Sequence, residues 1–230
     1  MIVAVGGGEV LTNETYEIDK YIVEAARKDN PNLLFIPTAS NDAEPYIDTI
    51  SKLYVGLGCE VDSLRLCRQE TTVDEAKRKI EWADIIYVGG GNTEFMMEKW
   101  REYRVDQFLL DAYRQNKVLS GLSAGSICWF IAGHSDSEFL SGVENPKQKW
   151  VKGLGLIPYL HCPHYDEEDR NFHFDNFYLG QITEAIAIEN QAAIVWDKHE
   201  LSVVKANPDK NAYHLSWSPG GLEKAAIGSN

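Results

Sequence analysis

A serine between glycines is the first residue of this sequence with the setting of a catalytic group. Ser123 is at the centre of the segment Gly-Leu-Ser-Ala-Gly at 121–125, which follows a strand-like stretch at 117–120 and opens an apolar run at 126–131. A strand, a tight turn and a helix together form a nucleophile elbow, which exposes the serine hydroxyl at the end of a sheet. The amide of Ala124, at the start of the predicted helix, could donate to an oxyanion. The alternative is an ordinary glycine-rich turn, but the strand before and the helical pattern after favour a nucleophile.

A serine hydroxyl is a weak nucleophile at neutral pH, so the hypothesis requires a histidine base. His164 follows the strand-like run 157–161, and Pro163 restricts the backbone directly before it. His161 is its rival for the same task. The other four histidines are interpreted as surface or structural residues: His134, His173, His199 and His214.

Two glycine loops could contribute backbone amides. Gly89-Gly90-Gly91-Asn92 follows a predicted strand at 84–88, so its backbone amides could cradle a phosphate or supply a second oxyanion donor, and Gly90 and Asn92 are candidates for binding substrate. An ordinary flexible turn is the alternative. The loop at 6–8 is a weaker candidate, because Leu11 breaks the dinucleotide-binding fingerprint and the chain has no Walker A sequence.

These segments alternate with amphipathic stretches, which predicts an α/β fold with a mostly parallel sheet and helices on both faces. We treat residues 1–230 as a single domain. The predicted strands are 2–5, 32–36, 60–64, 84–88 and 117–120, followed by 185–188, 192–196, 200–204 and 212–217. The predicted helices are 15–28, 45–57, 73–82 and 93–115. The late strands, with a turn at 197–199, predict an antiparallel hairpin.

The composition argues against several classes of partner. The formal net charge of -13 repels nucleic acid and anionic membranes. Four scattered cysteines form neither a Cys-x-x-Cys pair nor a zinc-spaced cluster, so we expect reduced thiols and a cytoplasmic location. A serine nucleophile with a histidine base needs neither metal nor organic cofactor, and we expect none. The first ten residues lack the features of a signal peptide, and no membrane span is expected. A homo-oligomer is left open.

Taken together, these motifs resemble the dipeptidase E and cyanophycinase family of serine peptidases. The match rests on the loop at 88–93, the elbow at 121–125, Gly153-Leu154-Gly155-Leu156 leading into Cys162-Pro163-His164-Tyr165, and Ala187-Ile188-Glu189-Asn190. The resemblance covers nearly the whole chain and implies a fold similar to class I glutamine amidotransferases. It implies Ser123 as nucleophile, His164 as base, and the amides of Gly91 and Ala124 as the oxyanion hole.

The resemblance offers two candidates for the acid behind the histidine. Dipeptidase E members carry an aspartate between serine and histidine, where this chain has Asp136, and cyanophycinase-like members use a later glutamate, which Glu189 resembles. Either could orient His164, and we favour Asp136 because the chain is more similar to the dipeptidase branch.

The expected substrate is a small peptide. Dipeptidase E members that cleave after an N-terminal aspartate need a cation for its side chain, and Arg170 is the nearest candidate after His164, although the segment joining them is shorter than in aspartate-specific members. Two other hypotheses stay open. One is an α/β-hydrolase esterase with His199 or His214 as base, and the other is a non-catalytic binding module that retains the fold.

Overall fold

Strands and helices alternate along the first 135 residues of the chain. The computed structural model describes residues 1–68, 71–176 and 183–228. The strands are β1 (Ile2–Val5), β2 (Asn32–Ile36), β3 (Glu60–Ser63), β4 (Ile85–Val88), β5 (Val118–Leu122), β6 (Phe130–Ser135), β7 (Lys149–Lys152), β8 (Ile157–Cys162), β9 (Thr183–Ile188), β10 (Ala192–Asp197), β11 (Glu200–Lys205), β12 (Ala212–Ser218) and β13 (Gly221–Ala226). The helices are α1 (Tyr16–Ala25), α2 (Glu44–Gly56), α3 (Val73–Trp82), α4 (Thr93–Tyr103), α5 (Val105–Arg114), α6 (Ala124–Ile127), α7 (Ser137–Leu140) and α8 (Glu168–Asp175), with a short 3-10 helix at Thr38–Ser40.

A mostly parallel sheet forms the centre of the molecule. Among the described strands, seven make up this sheet in the order β11-β10-β1-β5-β4-β2-β3. The five strands from β1 to β3 in this order are parallel, and β10 and β11 form an antiparallel hairpin at one edge. The predicted α/β class, parallel sheet and late hairpin are therefore confirmed.

Helices cover both faces of this sheet because successive side chains of a strand point to opposite sides. On β1, Val3 and Val5 join one apolar cluster with α1 and α2, whereas Ile2 and Ala4 join another with α3, α4 and α5. Strands buried on both faces explain the nearly continuous apolar runs in the sequence.

A second sheet lies against the side of the first that carries α3, α4 and α5. Within the described ranges it has six strands, in the order β13-β12-β9-β8-β6-β7. Phe130, Ile157 and Ile186 from this sheet belong to the same apolar cluster as Ile2 and Ala4 of β1. The sequence indicated several of its strands but not that they form a separate sheet.

Two predicted helices differ from the structure. The helix expected over 93–115 is interrupted at Arg104, whose φ of 60° is left-handed and separates α4 from α5. The helix expected over 126–131 ends at Ile127, and the chain enters β6 at Phe130. The ring of Phe130 stacks on His161 of β8, so tertiary packing outweighs the local helical pattern.

No helix in the described parts of the chain is both long and apolar enough to cross a membrane.

Candidate active site

The elbow predicted at Ser123 is present at the carboxyl end of β5. Ser123 has φ 58° and ψ -113°, a conformation that costs roughly 1–3 kcal/mol and is found mainly at functional sites. A Cβ at Gly121 would overlap the carbonyl of Gly125, and one at Gly125 would overlap that of Val88. Both glycines are therefore required by close backbone packing, and the turn projects the Ser123 hydroxyl beyond the sheet.

His164 reaches this hydroxyl from the second sheet. It follows β8, and its Nε2 lies 2.8 Å from Ser123 Oγ. Its backbone is also left-handed, with φ 52°, and its amide donates to the carbonyl of Gly6 at 3.1 Å. The nucleophile and its partner histidine are therefore both held in strained conformations by the surrounding loops.

Asn190 lies on the other side of the imidazole. Its Oδ1 is 2.7 Å from His164 Nδ1, and because an amide oxygen only accepts, the neutral ring carries its proton on Nδ1. Nε2 is then free to accept the hydroxyl proton of Ser123. Glu167 Oε1 lies 3.5 Å from the same Nδ1 and is half exposed.

The loop at 6–8 holds this pair in place. A Cβ at Gly7 would overlap both Asn190 Oδ1 and His164 Nδ1, so only glycine leaves room for their contact. The Gly7 carbonyl also accepts the amide of Gln191 at 2.9 Å. This loop has no dinucleotide-binding fingerprint, and in the structure it packs against His164 and Asn190.

The two carboxylates expected behind His164 lie elsewhere, which corrects that part of the sequence-based hypothesis. Asp136 Oδ2 accepts from Arg170 Nη2 at 3.1 Å. Glu189 accepts from the Asn211 amide at 2.7 Å and the Tyr213 hydroxyl at 3.1 Å. Glu189 is adjacent to Asn190 in the segment after β9, but its side chain is engaged with Asn211 and Tyr213 and not with His164.

The loop at 89–91 lies beside the elbow. A Cβ at Gly90 would be 3.4 Å from Ser123 Cβ, which is ordinary contact distance. The Gly90 amide donates to the Tyr46 hydroxyl at 3.3 Å and the Asn92 amide to the Ala39 carbonyl at 2.8 Å.

Asn92 has a structural task in this loop. Its Oδ1 caps α4 by accepting the Phe95 amide at 3.0 Å, and its Nδ2 donates to the Ser141 hydroxyl at 2.8 Å. Both ends of the side chain are therefore engaged within the protein, contrary to the expected role in substrate binding.

Residues 2–204 match the model of peptidase family S51. The chain belongs to this family. It is 36% identical over 171 residues to the uncharacterized peptidase YgaJ of Bacillus subtilis, covering 74% of this chain and 70% of that protein. It is 29% identical over 168 residues to Peptidase E of Nostoc sp., covering 69% of this chain and 61% of that protein. Membership in S51 confirms the prediction of a dipeptidase E-like serine peptidase.

The fold is also found among solved structures. A peptidase from an acI-B1 actinobacterium superposes with a TM-score of 0.73 at 19% identity, over 98% of this chain and 93% of that chain. This similarity shows that the two proteins share a fold.

The rival bases do not reach Ser123 in this S51 peptidase. His161 is fully buried beneath the elbow, where its Nε2 is 2.8 Å from Ser126 Oγ and its Nδ1 is 2.8 Å from the Ile186 carbonyl. Burial lowers the pKa of His161 to about 3, so the ring is neutral. His214 packs edge-on against Tyr159, and His199 against Trp196.

A cavity of about 700 Å³ opens beside the histidine. Glu167, which lies against His164 Nδ1, is also part of its wall. The lining also includes Asp136, which precedes α7, and Phe139 within α7, the helix whose Ser137 carbonyl accepts from Asn92 of the glycine loop. The cavity therefore shares Glu167 with the surroundings of His164, and α7 on its wall contacts Asn92 of the glycine loop.

Proposed function

We propose that this S51 peptidase hydrolyses small peptides through an acyl-enzyme formed on Ser123. The observation that carries the proposal is the contact chain from Ser123 Oγ through the His164 imidazole to Asn190 Oδ1, at 2.8 and 2.7 Å. This is the nucleophile, base and orienting group of acyl-transfer enzymes, with an amide in the third position.

In the first half of the reaction, Ser123 Oγ attacks the peptide carbonyl while His164 Nε2 takes the hydroxyl proton. Asn190 holds the ring in the tautomer that leaves Nε2 unprotonated, and it accepts a stronger, charge-assisted hydrogen bond once the imidazolium has formed. His164 then gives the proton to the departing amine, the C–N bond breaks, and the acyl group stays on Ser123. In the second half, water attacks the ester while His164 takes its proton; the ester C–O bond then breaks, His164 returns the proton to Ser123 Oγ, and the acid product leaves.

The negative charge on the carbonyl oxygen needs donors in both halves. We assign them to the amides of Gly91 and Ala124. The elbow opens α6 at Ala124, where first-turn amides lack helical partners. A Cβ built on Gly90 would lie 3.4 Å from Ser123 Cβ, so the glycine loop lies beside the same elbow.

A labelling experiment combined with a dipeptide assay tests the assignment. Ser123→Ala should lose both fluorophosphonate labelling and hydrolysis of a dipeptide panel, because the nucleophile is gone and Ser126, whose hydroxyl lies 2.8 Å from His161 Nε2, is fully buried. Ser51→Ala in α2 serves as the matched control and should retain both. Peptidase activity that persists in a folded Ser123→Ala protein would refute the role of Ser123.

We also propose a cytoplasmic location. The four cysteines Cys59, Cys67, Cys128 and Cys162 are unpaired, as in a reducing compartment.

A further inference from the structure

An arginine and an aspartate meet on the wall of the cavity beside His164. Arg170 is only 6% exposed, and its Nη2 donates to Asp136 Oδ2 at 3.1 Å. Its Nη1 donates to the His134 carbonyl and to Gln148 Oε1, both at 3.2 Å. The guanidinium is therefore held in place by three acceptors, of which Asp136 alone carries a charge.

The rest of this wall offers little compensation for a further negative charge. Burial, helped by nearby Arg170, lowers the pKa of His134 to about 4, so its ring is neutral near pH 7. Glu167 adds a second carboxylate to the lining. Lys147 also lines the cavity, but it is exposed, and water and salt screen its charge.

We infer that Asp136 is a specificity-determining residue. Its carboxylate pairs with the Arg170 guanidinium, so that the cavity binds substrates with an uncharged side chain. A substrate carboxylate at this place would either displace Asp136 or lie next to it, and two neighbouring carboxylates repel each other. The inference rests on the proposed peptidase function and adds the class of substrate.

The exposures of Asp136 and Arg170 show that Asp136 is the residue to substitute. The Asp136 side chain is 38% exposed, whereas Arg170 is nearly inaccessible. Asp136→Asn keeps the shape but removes the charge, which leaves a buried guanidinium with neutral acceptors. An unpaired buried cation favours any anion that can reach it. The variant should therefore accept an acidic side chain from the substrate.

The test compares Asp-Leu with Asn-Leu, two dipeptides of nearly equal shape that differ in one charge. We expect the native protein to prefer Asn-Leu in kcat/KM. Asp136→Asn should raise the Asp-Leu to Asn-Leu ratio by about tenfold or more, the range of a charge-assisted hydrogen bond. The double variant Asp136→Asn with Arg170→Gln should reverse the gain, because the cation is gone.

Asp111→Asn is the matched control for net charge. Asp111 pairs with Arg114 on the exposed face of α5, so its loss changes the total charge equally without touching the cavity. This control should leave the ratio unchanged. A tenfold native preference for Asp-Leu, or an Asp136→Asn ratio within twofold of native, would overturn the inference.

Binding separates failure of the inference from failure of the proposed function. In the Ser123→Ala background, calorimetry of Asp-Leu and Asn-Leu reports selectivity without turnover. Hydrolysis of Asn-Leu by the native protein with unchanged selectivity in Asp136→Asn would refute the inference alone. Absence of any hydrolysis, with the expected change in binding, would refute the peptidase function but support the role of Asp136.

Discussion

Replacing Asn190 tests the amide behind the histidine. In Asn190→Ala the imidazole loses its acceptor at Nδ1, which is 2.7 Å away in the native protein. A hydrogen bond to a charged group contributes about 1.5–3 kcal/mol. The bond is charge-assisted when His164 has taken the serine proton, so its loss should reduce kcat/KM by roughly tenfold to a hundredfold.

The Asn190→Asp variant tests whether residue 190 acts on the His164 imidazole or only fills space beside it. A carboxylate at this position keeps the acceptor and also favours the protonated imidazole. The acidic limb of the pH–rate profile should therefore move to higher pH, by roughly one to three units. A residue with only a structural role would not shift this limb.

The assay is dipeptide hydrolysis between pH 5 and 9, with thermal melting to check folding and Asn30→Ala, on an exposed loop, as the control. Glu167 Oε1, at 3.5 Å from Nδ1, can replace the lost acceptor, so Asn190→Ala is also measured together with Glu167→Ala. The reasoning is refuted if Asn190→Ala with Glu167→Ala stays within twofold of native kcat/KM, or if Asn190→Asp leaves the acidic limb in place.

Two further predictions concern stability. Burial raises the pKa of Asp19 to about 6, so the folded state binds more protons than the unfolded state between about pH 4 and pH 6, and stability from this group is lost as the pH rises through that window. Urea unfolding should show a native advantage over Asp19→Asn that shrinks by about 2–3 kcal/mol from pH 4 to pH 7, and a constant difference would contradict this. Arg104→Gly should stabilise the protein by about 1 kcal/mol in the same assay, because φ is 60° there, whereas Arg101→Gly inside α4 should destabilise it by about 1 kcal/mol. Equal effects of the two glycines would refute the conformational argument.

Much of the first sheet and the nucleophile could be predicted because their signals are local. An apolar strand, a glycine turn and a helical pattern are contiguous in sequence, and Ser123 lies within them. His164 could also be predicted from the sequence, since it follows a strand-like run and a proline. The helix break at Arg104 was not, because an arginine has no preference that marks a left-handed residue.

Asn190 could not be predicted because its role is created by tertiary contacts. The backbone amide of Asn190 donates to Asp166 Oδ1 at 2.8 Å. Its side chain fits only because Gly7, far away in sequence, has no Cβ. Asp136 lies between Ser123 and His164 in the chain, as the resemblance requires of the acid, but at the end of β6 its side chain pairs with Arg170.

The Ser123–His164 contact joins the two sheets of the molecule. Ser123 belongs to the first sheet, whereas His164 and Asn190 follow β8 and β9 of the second. Local opening of a protein often involves whole supersecondary units. Undocking of the second sheet by an ångström would separate base from nucleophile while both sheets kept their hydrogen bonds. Catalytic activity therefore depends on the relative position of the two sheets, because neither sheet alone contains both the nucleophile and the base.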